Sequence, residues 1–371
     1  MSLPARQRVV YLLGPERLEI REVDVPEPGP GELLVRVEAA VTCGTDVKVF
    51  RRGGHPRMLA VPAPFGHEMA GTVVATGPPA GAESADHAGE ESAGPPWRAR
   101  VGDRVVVANS VPCGACEWCG RGQENLCADL RYLNGAFAEY LLVPRRFAEA
   151  SVHPCPPELP LAVAALAEPL GCVLHGLETC PLDRPTDIAV YGAGPIGLLF
   201  VNTLVTGGHR VVAADPNPGR LAVAASLGAA AGLQVGREGG EADRVRGHAR
   251  AADGFDLAIE ATGSPAAWWD ALATVRPGGT VLLFGGCPPG TSVPLDTHHL
   301  HYSELTVKSA YHHRPATFRR ALALLAGGTL EPAALLTAER PLGEIEEALR
   351  SMMRKEALKV VIRPHGLPAG P

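Results

Sequence analysis

The chain opens on short runs of Val, Leu and Ile at 9–13, 18–23 and 32–40, punctuated by Pro and Gly, as in Pro26 to Gly31. Such runs predict β-strands, with two more at 69–76 and 104–108. Between these last two, 77–96 is rich in Ala, Gly, Pro, Glu and Ser and has no apolar period, which predicts an exposed insertion. From 161 the texture changes. A helical stretch at 161–177 precedes a short apolar strand at 187–191, a Gly-rich turn and an apolar helix at 196–205. A strand at 210–214 and a helix at 220–227 follow, then strands at 255–260, 280–284 and 305–309. Strands alternating with helices predict a parallel, doubly wound sheet. The tail adds helices at 316–326 and 345–353 and a last strand at 358–362. The fold class is therefore α/β, a β-rich part joined to a doubly wound part.

The chain has 371 residues, enough for two domains with sizeable cores. Its formal net charge of -6 gives no reason to expect nucleic acid or an anionic membrane as partner. Basic residues are nearly all Arg, with Lys only at 48, 308, 355 and 359. Together with abundant Ala, Pro and Gly this fits a GC-rich genome or a warm habitat equally well. Positions 1–10 lack a signal-peptide pattern, and the most apolar stretch, 159–174, is interrupted by Glu168 and Pro169 and is too short to span a bilayer. A cytoplasmic location is expected. Of the 9 cysteines four cluster tightly, which in a reducing compartment reads as metal ligands rather than disulfides.

Gly192, Gly194 and Gly197, with Pro195 and Ile196 between them, form Gly-x-Gly-x-x-Gly after a predicted strand and at the opening of a helix. The first Gly permits a tight turn, the second a close approach to a pyrophosphate, the third close packing of helix on strand. The helix N-terminus offers amides and partial positive charge to the phosphates. Asp215 ends the next strand, where an acid would accept hydrogen bonds from the adenosine ribose and repel a 2′-phosphate, so NAD is favoured over NADP. Arg220 either lies over the adenine or weakens that preference. The ordinary alternative is a structural Gly turn with a surface Asp.

Cys113, Cys116, Cys119 and Cys127 have the spacing of a closed four-thiolate structural zinc site. A second set is less local. Cys43, His67, Glu68 and Glu168 supply one thiol, one imidazole and two carboxylates, a donor set for a catalytic zinc with a position left for water or alcohol. Taken singly, Cys43 could equally be a core thiol, His67 a core histidine and Glu68 a surface acid.

In this order the residues resemble the zinc-containing medium-chain alcohol and polyol dehydrogenases, in the branch of the sorbitol and threonine dehydrogenases. The resemblance runs through Pro28-Gly29-Pro30-Gly31-Glu32, Cys43-Gly44-Thr45-Asp46, Gly66-His67-Glu68 and Gly102-Asp103-Arg104-Val105. It continues through the four-cysteine segment, Glu168-Pro169-Leu170, the Gly192 to Gly197 turn and Asp215. It implies a GroES-like β-barrel catalytic domain over 1–160 and 311–371, carrying a structural-zinc lobe at 109–130, and a Rossmann NAD-binding domain over 161–310. It implies two Zn2+ per chain. Cys43 and His67 match ligands of the catalytic zinc, Glu68 an acid at or near it, and Glu168 a second acid that can ligate it. Asp46 matches the carboxylate that orients the ligand histidine, and Thr45 the hydroxyl that takes the substrate proton.

Three departures stand out. The relay histidine of many relatives is replaced by Lys48, so the proton leaves through Lys48, a ribose hydroxyl or water. The 77–96 insertion is longer than the usual turn. The Arg-Tyr pair that sorbitol dehydrogenases place after the last Rossmann strand is His312-His313 here, either substrate contacts or surface residues of a turn. The expected activity is hydride transfer between a secondary or polyol-type alcohol and NAD. Alternatives are a cyclitol, aminocyclitol, aromatic or aliphatic alcohol as substrate, a non-catalytic NAD-binding sensor, or a zinc-free reductase, the last two disfavoured by the complete set of ligand residues. Phe50, His55, Trp118, His312 and His313 are candidates for the pocket wall. The strand at 305–309 could pair with its equivalent in a neighbour, so the resemblance implies a homodimer or homotetramer.

Overall fold

A computed structural model describes residues 3–79 and 98–367, so the insertion expected at 77–96 lies outside the described residues from position 80 onward. The chain divides into two compact units. One comprises 1–168, 314–326 and 336–371, the other 169–313 and 327–335.

The first unit is the β-rich one. A central sheet runs in the order Val152–Pro154, Arg104–Val107, Met69–Thr76, Leu33–Val41, Lys359–Arg363, Leu336–Pro341, and Tyr140–Val143 also pairs with Leu33–Val41. A smaller sheet joins Arg17–Asp24, Arg6–Gly14 and Ala63–Pro64. Bonds from Val10 N to Phe137 O and from Phe65 N to Val10 O tie the small sheet to the segments around the large one. Between them lies one core, with Phe50, Phe65 and Phe137 fully buried and the rings of Phe65 and Phe137 edge to face at 5.7 Å. Aromatic burial of this kind supplies much of the driving force for closing such sheets.

Register decides where the chemistry-bearing residues go. Ala40 stands opposite Met69, Met69 opposite Val107, and Val41 opposite Val361. All three pairings are antiparallel. Consequently the residues just after Leu33–Val41, just before Met69–Thr76, just after Arg104–Val107 and at the start of Lys359–Arg363 meet at one end of the sheet. Those residues are Cys43, His67 with Glu68, Asn109 and Lys359.

The second unit is a six-stranded sheet, parallel throughout, in the order Ala231–Gln234, Arg210–Asp215, Asp187–Tyr191, Phe255–Glu260, Val275–Leu283, Thr306–Ser309. Numbered along this unit the order is 3-2-1-4-5-6, the doubly wound arrangement with its switch point at the first strand. Asp187–Tyr191 is buried along its whole length, as a central parallel strand must be.

Three local expectations are corrected. The helix expected over 161–177 is two helices, Leu161–Ala164 and Ala167–Leu177. Pro169 lacks an amide hydrogen and fits only the first turn of a helix, so the chain restarts just before it. The first domain was expected to end at 160, yet Leu161 to Glu168 belong to the first unit, because Leu161–Ala164 packs on the strands Leu33–Val41 and Met69–Thr76. The return was expected at 311, but Arg314 is the first residue back, and 327–335 rejoin the second unit through the turn Pro332–Leu335 against the helix Pro195–Thr206. A helix over Gly44–Arg52 was not expected at all.

Candidate functional site

The unexpected helix follows directly from Cys43. This residue is the N-cap, extended at φ -121 and ψ 155, and its Sγ accepts the Thr45 amide at 3.4 Å. Asp46 reaches back, its Oδ2 accepting the Cys43 amide at 2.8 Å. That reciprocal box starts the helix. The sequence signal was Cys-x-x-Asp, easily missed because Cys is an unusual N-cap.

Asp46 has a second task. Its Oδ1 accepts Nδ1 of His67 at 2.9 Å, with both side chains buried. One carboxylate therefore fixes the backbone of Cys43 and the ring of His67 together and leaves Nε2 of the imidazole for another partner. Gly66 aims the histidine. It has φ +93 and lies against the Phe137 ring so closely that a Cβ would stand 2.6 Å from Cδ2. Only glycine fits both the backbone angle and the space.

One ligand atom from each of Cys43, His67 and Glu68 lies within 4.8 Å of the others, and all three residues are buried. Glu168 does not share that mutual spacing; its Oε1 accepts the Asn109 amide at 3.2 Å. Lys359, 1% exposed, donates its Nζ to Oε2 of Glu68 at 2.6 Å and to the carbonyl of Thr42 at 3.0 Å. Lys359 escaped the sequence reading. The available signal was a lone lysine opening an apolar strand in a chain with few lysines.

Burial pushes the Cys43 thiol up, and Glu68 adds to this, while Lys359 and His67 oppose it. Burial likewise pushes Glu168 up to about 7, with His67 and Lys359 acting the other way. Burial opposes a charge on His67, but Asp46 more than offsets it and the pKa rises well above the ordinary imidazole value. A buried thiol and a buried acid within 4.8 Å of one imidazole are a set that a divalent cation would ionise. Oε1 of Glu68 is buried and finds no hydrogen-bond partner among the described residues. An orphaned carboxylate oxygen costs free energy unless something fills its lone pairs. The residues thus fit a metal ion held by sulfur, nitrogen and oxygen.

The four-cysteine lobe fits a metal independently. The Sγ atoms of Cys116 and Cys119 are 3.6 Å apart, those of Cys116 and Cys127 3.8 Å, and those of Cys113 and Cys119 3.9 Å. A tetrahedron with zinc–sulfur bonds of about 2.3 Å has edges of about 3.8 Å. Amides donate to the sulfurs, Ala115 and Cys116 to Cys113 and Cys113 to Cys127, at 3.2 to 3.4 Å. Such bonds favour thiolates. The amides of Ala128 and Cys119 help hold the Cys116 thiol down at about 6.

In the second unit the turn keeps its predicted geometry. Gly192 has φ +97, and a Cβ on Gly197 would stand 1.6 Å from the Gly192 carbonyl oxygen. A Cβ on Gly194 would meet only Arg220 Nη1, at 3.7 Å, so this glycine leaves an open cradle. The helix Pro195–Thr206 starts there with Pro195 at its first position and Ile196 next, and no side chain caps it. Asp215 is buried, its Oδ2 accepting the Ala193 amide and its Oδ1 the Asn217 amide, each at 2.8 Å. Nε of Arg220 is buried without a partner among the described residues. Open amides, an unfilled cradle and a fixed carboxylate at the carboxyl ends of parallel strands suit a dinucleotide.

Other expected positions fare differently. Thr45 and Lys48 lie one turn apart on the helix Gly44–Arg52, Thr45 half-buried and Lys48 exposed. Phe50 cannot line a pocket, because it is fully buried in the core with Arg350 over its ring. Nδ1 of His55 accepts the amides of Arg57 and Met58, a local turn. Trp118 is exposed, with Arg121 over its ring. His313 is buried and the ring of His312 lies tilted beside it, centroids 4.1 Å apart. No helix among the described residues is long and apolar enough to cross a membrane.

Comparison with known proteins agrees with this geometry. The alcohol dehydrogenase GroES-like domain model matches residues 29–156, and the zinc-binding dehydrogenase model matches 195–327. Erythritol/L-threitol dehydrogenase of Mycolicibacterium smegmatis is 32% identical over 98% of this chain and 99% of its own. Sorbitol dehydrogenase of Bacillus subtilis is 29% identical over 98% and 99%. A crystal structure of a zinc-binding dehydrogenase from Sinorhizobium meliloti bound to NADP superposes with a TM-score of 0.84 at 29% identity, covering 97% of this chain and 100% of that one. With a GroES-like unit, a Rossmann unit and matches along nearly the whole length, the chain belongs to the zinc-containing medium-chain alcohol and polyol dehydrogenases.

Proposed function

We propose that this dehydrogenase oxidises a secondary or polyol-type alcohol with NAD and, in reverse, reduces the ketone. The observation that carries the reading is the buried trio Cys43, His67 and Glu68 with one carboxylate oxygen left without a partner among the described residues. Zinc bound there supplies a Lewis acid that makes a hydroxyl more acidic, and the nicotinamide supplies the hydride acceptor. Cys43, His67 and Glu68 hold the metal, with Glu168 as a second acid at the same end of the sheet. Asp46 keeps the imidazole in the tautomer whose Nε2 faces the metal. The Thr45 hydroxyl takes the substrate proton as it gives up its own toward solvent, beside Lys48, exposed one turn further along the helix. Cys113, Cys116, Cys119 and Cys127 would hold a second zinc.

Gly192, Gly194, Pro195, Ile196 and Gly197 cradle the pyrophosphate. Asp215 keeps lone pairs for the ribose hydroxyls beyond the two amides it already accepts, and a 2′-phosphate would meet its buried charge. NAD is therefore the preferred cofactor, although Arg220 beside Gly194 is a cation that moderates the preference. The edge strand Thr306–Ser309 is exposed along its length and pairs on one side only, with Tyr302 and Val307 exposed around it. Such an edge in a soluble protein calls for a partner strand, which supports a homodimer or homotetramer. The relatives named for erythritol, threitol and sorbitol favour a vicinal polyol as substrate.

The test is reduced-cofactor appearance at 340 nm with zinc-loaded protein, NAD or NADP, and a panel of tetritols, hexitols, cyclitols, secondary alcohols and aromatic primary alcohols. A chelator-sensitive rate with a polyol and NAD is expected, with NADP at least ~10-fold poorer in kcat/KM. Turnover that survives complete metal removal, or a rate confined to aromatic alcohols, would overturn the reading.

A further inference from the structure

We propose that Lys359 is a positioning residue of the catalytic metal site: its ammonium clamps one oxygen of Glu68, so that Glu68 offers the metal a single oxygen and leaves the open coordination position open. The inference rests on the reading of Cys43, His67 and Glu68 as metal ligands.

Lys359 is the first residue of the strand Lys359–Arg363 and lies 291 positions along the chain from Glu68. It is 1% exposed, and the Glu68 side chain is fully buried. A buried ammonium without a partner would be severely destabilising, so the chain would not place one here unless its charge were used. Its contacts are specific. Nζ donates to Oε2 of Glu68 at 2.6 Å and to the Thr42 carbonyl, one residue before Cys43, at 3.0 Å.

The backbone around it is equally fixed. Val360 donates its amide to Oγ1 of Thr42 at 2.8 Å and accepts the Thr42 amide at 3.0 Å. The Val41 amide donates to the Glu68 carbonyl at 3.0 Å. The Cys43 segment, the Glu68 segment and the last strand are therefore one hydrogen-bonded block, and Nζ has no freedom to leave Glu68. The other oxygen, Oε1, is the one without a partner among the described residues. The two carboxylate oxygens thus have separate tasks, Oε2 to the clamp and Oε1 to the metal.

Charge gives the clamp a second effect. The metal would sit among the Cys43 thiolate and the Glu68, Asp46 and Glu168 carboxyl groups, and Lys359 adds one positive charge to that set. In a buried site that charge favours an anion in the open position. Without Lys359, Glu68 is free to bind through both oxygens and the site carries one positive charge fewer.

The experiment uses the full-length enzyme with cobalt(II) in place of zinc and compares wild type, Lys359→Met, Lys359→Gln and Lys359→Arg. Metal content, the visible cobalt spectrum and the pH profile of kcat/KM are read together. Lys359→Met is expected to keep two metal ions while its visible absorbance falls about threefold as the site moves from four to five ligands. The acid limb of its pH profile should move up by about one to two pH units, because a positive charge beside the open position has been removed. Lys359→Gln, which retains a donor and so folds if Lys359→Met does not, should show the same shift of the limb. Lys359→Arg should restore both signals. Two bound metal ions with a wild-type spectrum and an unmoved limb in both neutral variants would overturn the clamp and leave the metal site standing. A wild-type enzyme that holds metal at the cysteine lobe alone would overturn the metal site itself, and the clamp with it.

Discussion

Replacing His67 by Ala, or Cys43 by Ser, is expected to lower kcat by on the order of 10^3-fold or more while leaving NAD affinity within about threefold of wild type. The asymmetry follows from where the residues lie. Cys43 and His67 belong to the β-rich unit, whereas the Gly192 to Gly197 turn and Asp215 belong to the parallel-sheet unit with a core of its own. His67→Ala removes the nitrogen donor and leaves Asp46 with the Cys43 amide as its remaining partner here. Ser in place of Cys43 offers an alcohol, far less acidic than a thiol, and so a poor anionic ligand. The measurement pairs steady-state kinetics with quenching of NADH fluorescence and metal analysis. Either variant turning over at a near-native rate would remove the metal from the reaction. Lost turnover together with lost NAD binding would point instead to general unfolding.

The second large effect is expected in stability. Cys116→Ser should release one metal equivalent and lower the thermal midpoint by roughly 5 to 10 °C. Between Cys113 and Cys127 only Asn125 and Cys127 are buried, and the large apolar side chains Trp118 and Leu126 are exposed. A segment without an apolar core has little besides a metal to hold it together. What else anchors it is polar: Arg146 donates to Asp129 and to the Val111 carbonyl, Arg314 donates to the Gly122 carbonyl, and Ser110–Val111 pairs with Arg131–Tyr132. These contacts leave the lobe attached but not internally ordered when the metal is gone. Activity measured well below the new midpoint should fall less than tenfold, in contrast to the His67 variant. A Cys116→Ser protein with two metal ions and an unchanged midpoint would show that the four sulfurs do not hold a metal.

The sequence by itself determined the features whose signal is local. The turn at Gly192 to Gly197 was readable because each glycine answers a steric demand of its immediate neighbours. The cysteine lobe was readable because its four cysteines lie within fifteen consecutive positions. The parallel sheet was readable from apolar strands alternating with helices, although the short strand Ala231–Gln234 and the helix Pro265–Thr274 went unseen among small residues. Only the tertiary structure decided how the buried cluster around Cys43 is assembled. Cys43, His67, Glu68, Asn109 and Lys359 span more than three hundred positions, and what unites them is the register of antiparallel strands in one sheet, with Glu168 joined to them through Asn109. A one-residue slip in any of those pairings would turn the side chains to the opposite face, and no single segment encodes the choice. The same holds for charge. Lys359 reads as an ordinary solvated lysine until the last strand closes against Thr42, because a buried ammonium is tolerable only once its carboxylate partner, from the far end of the chain, is in place.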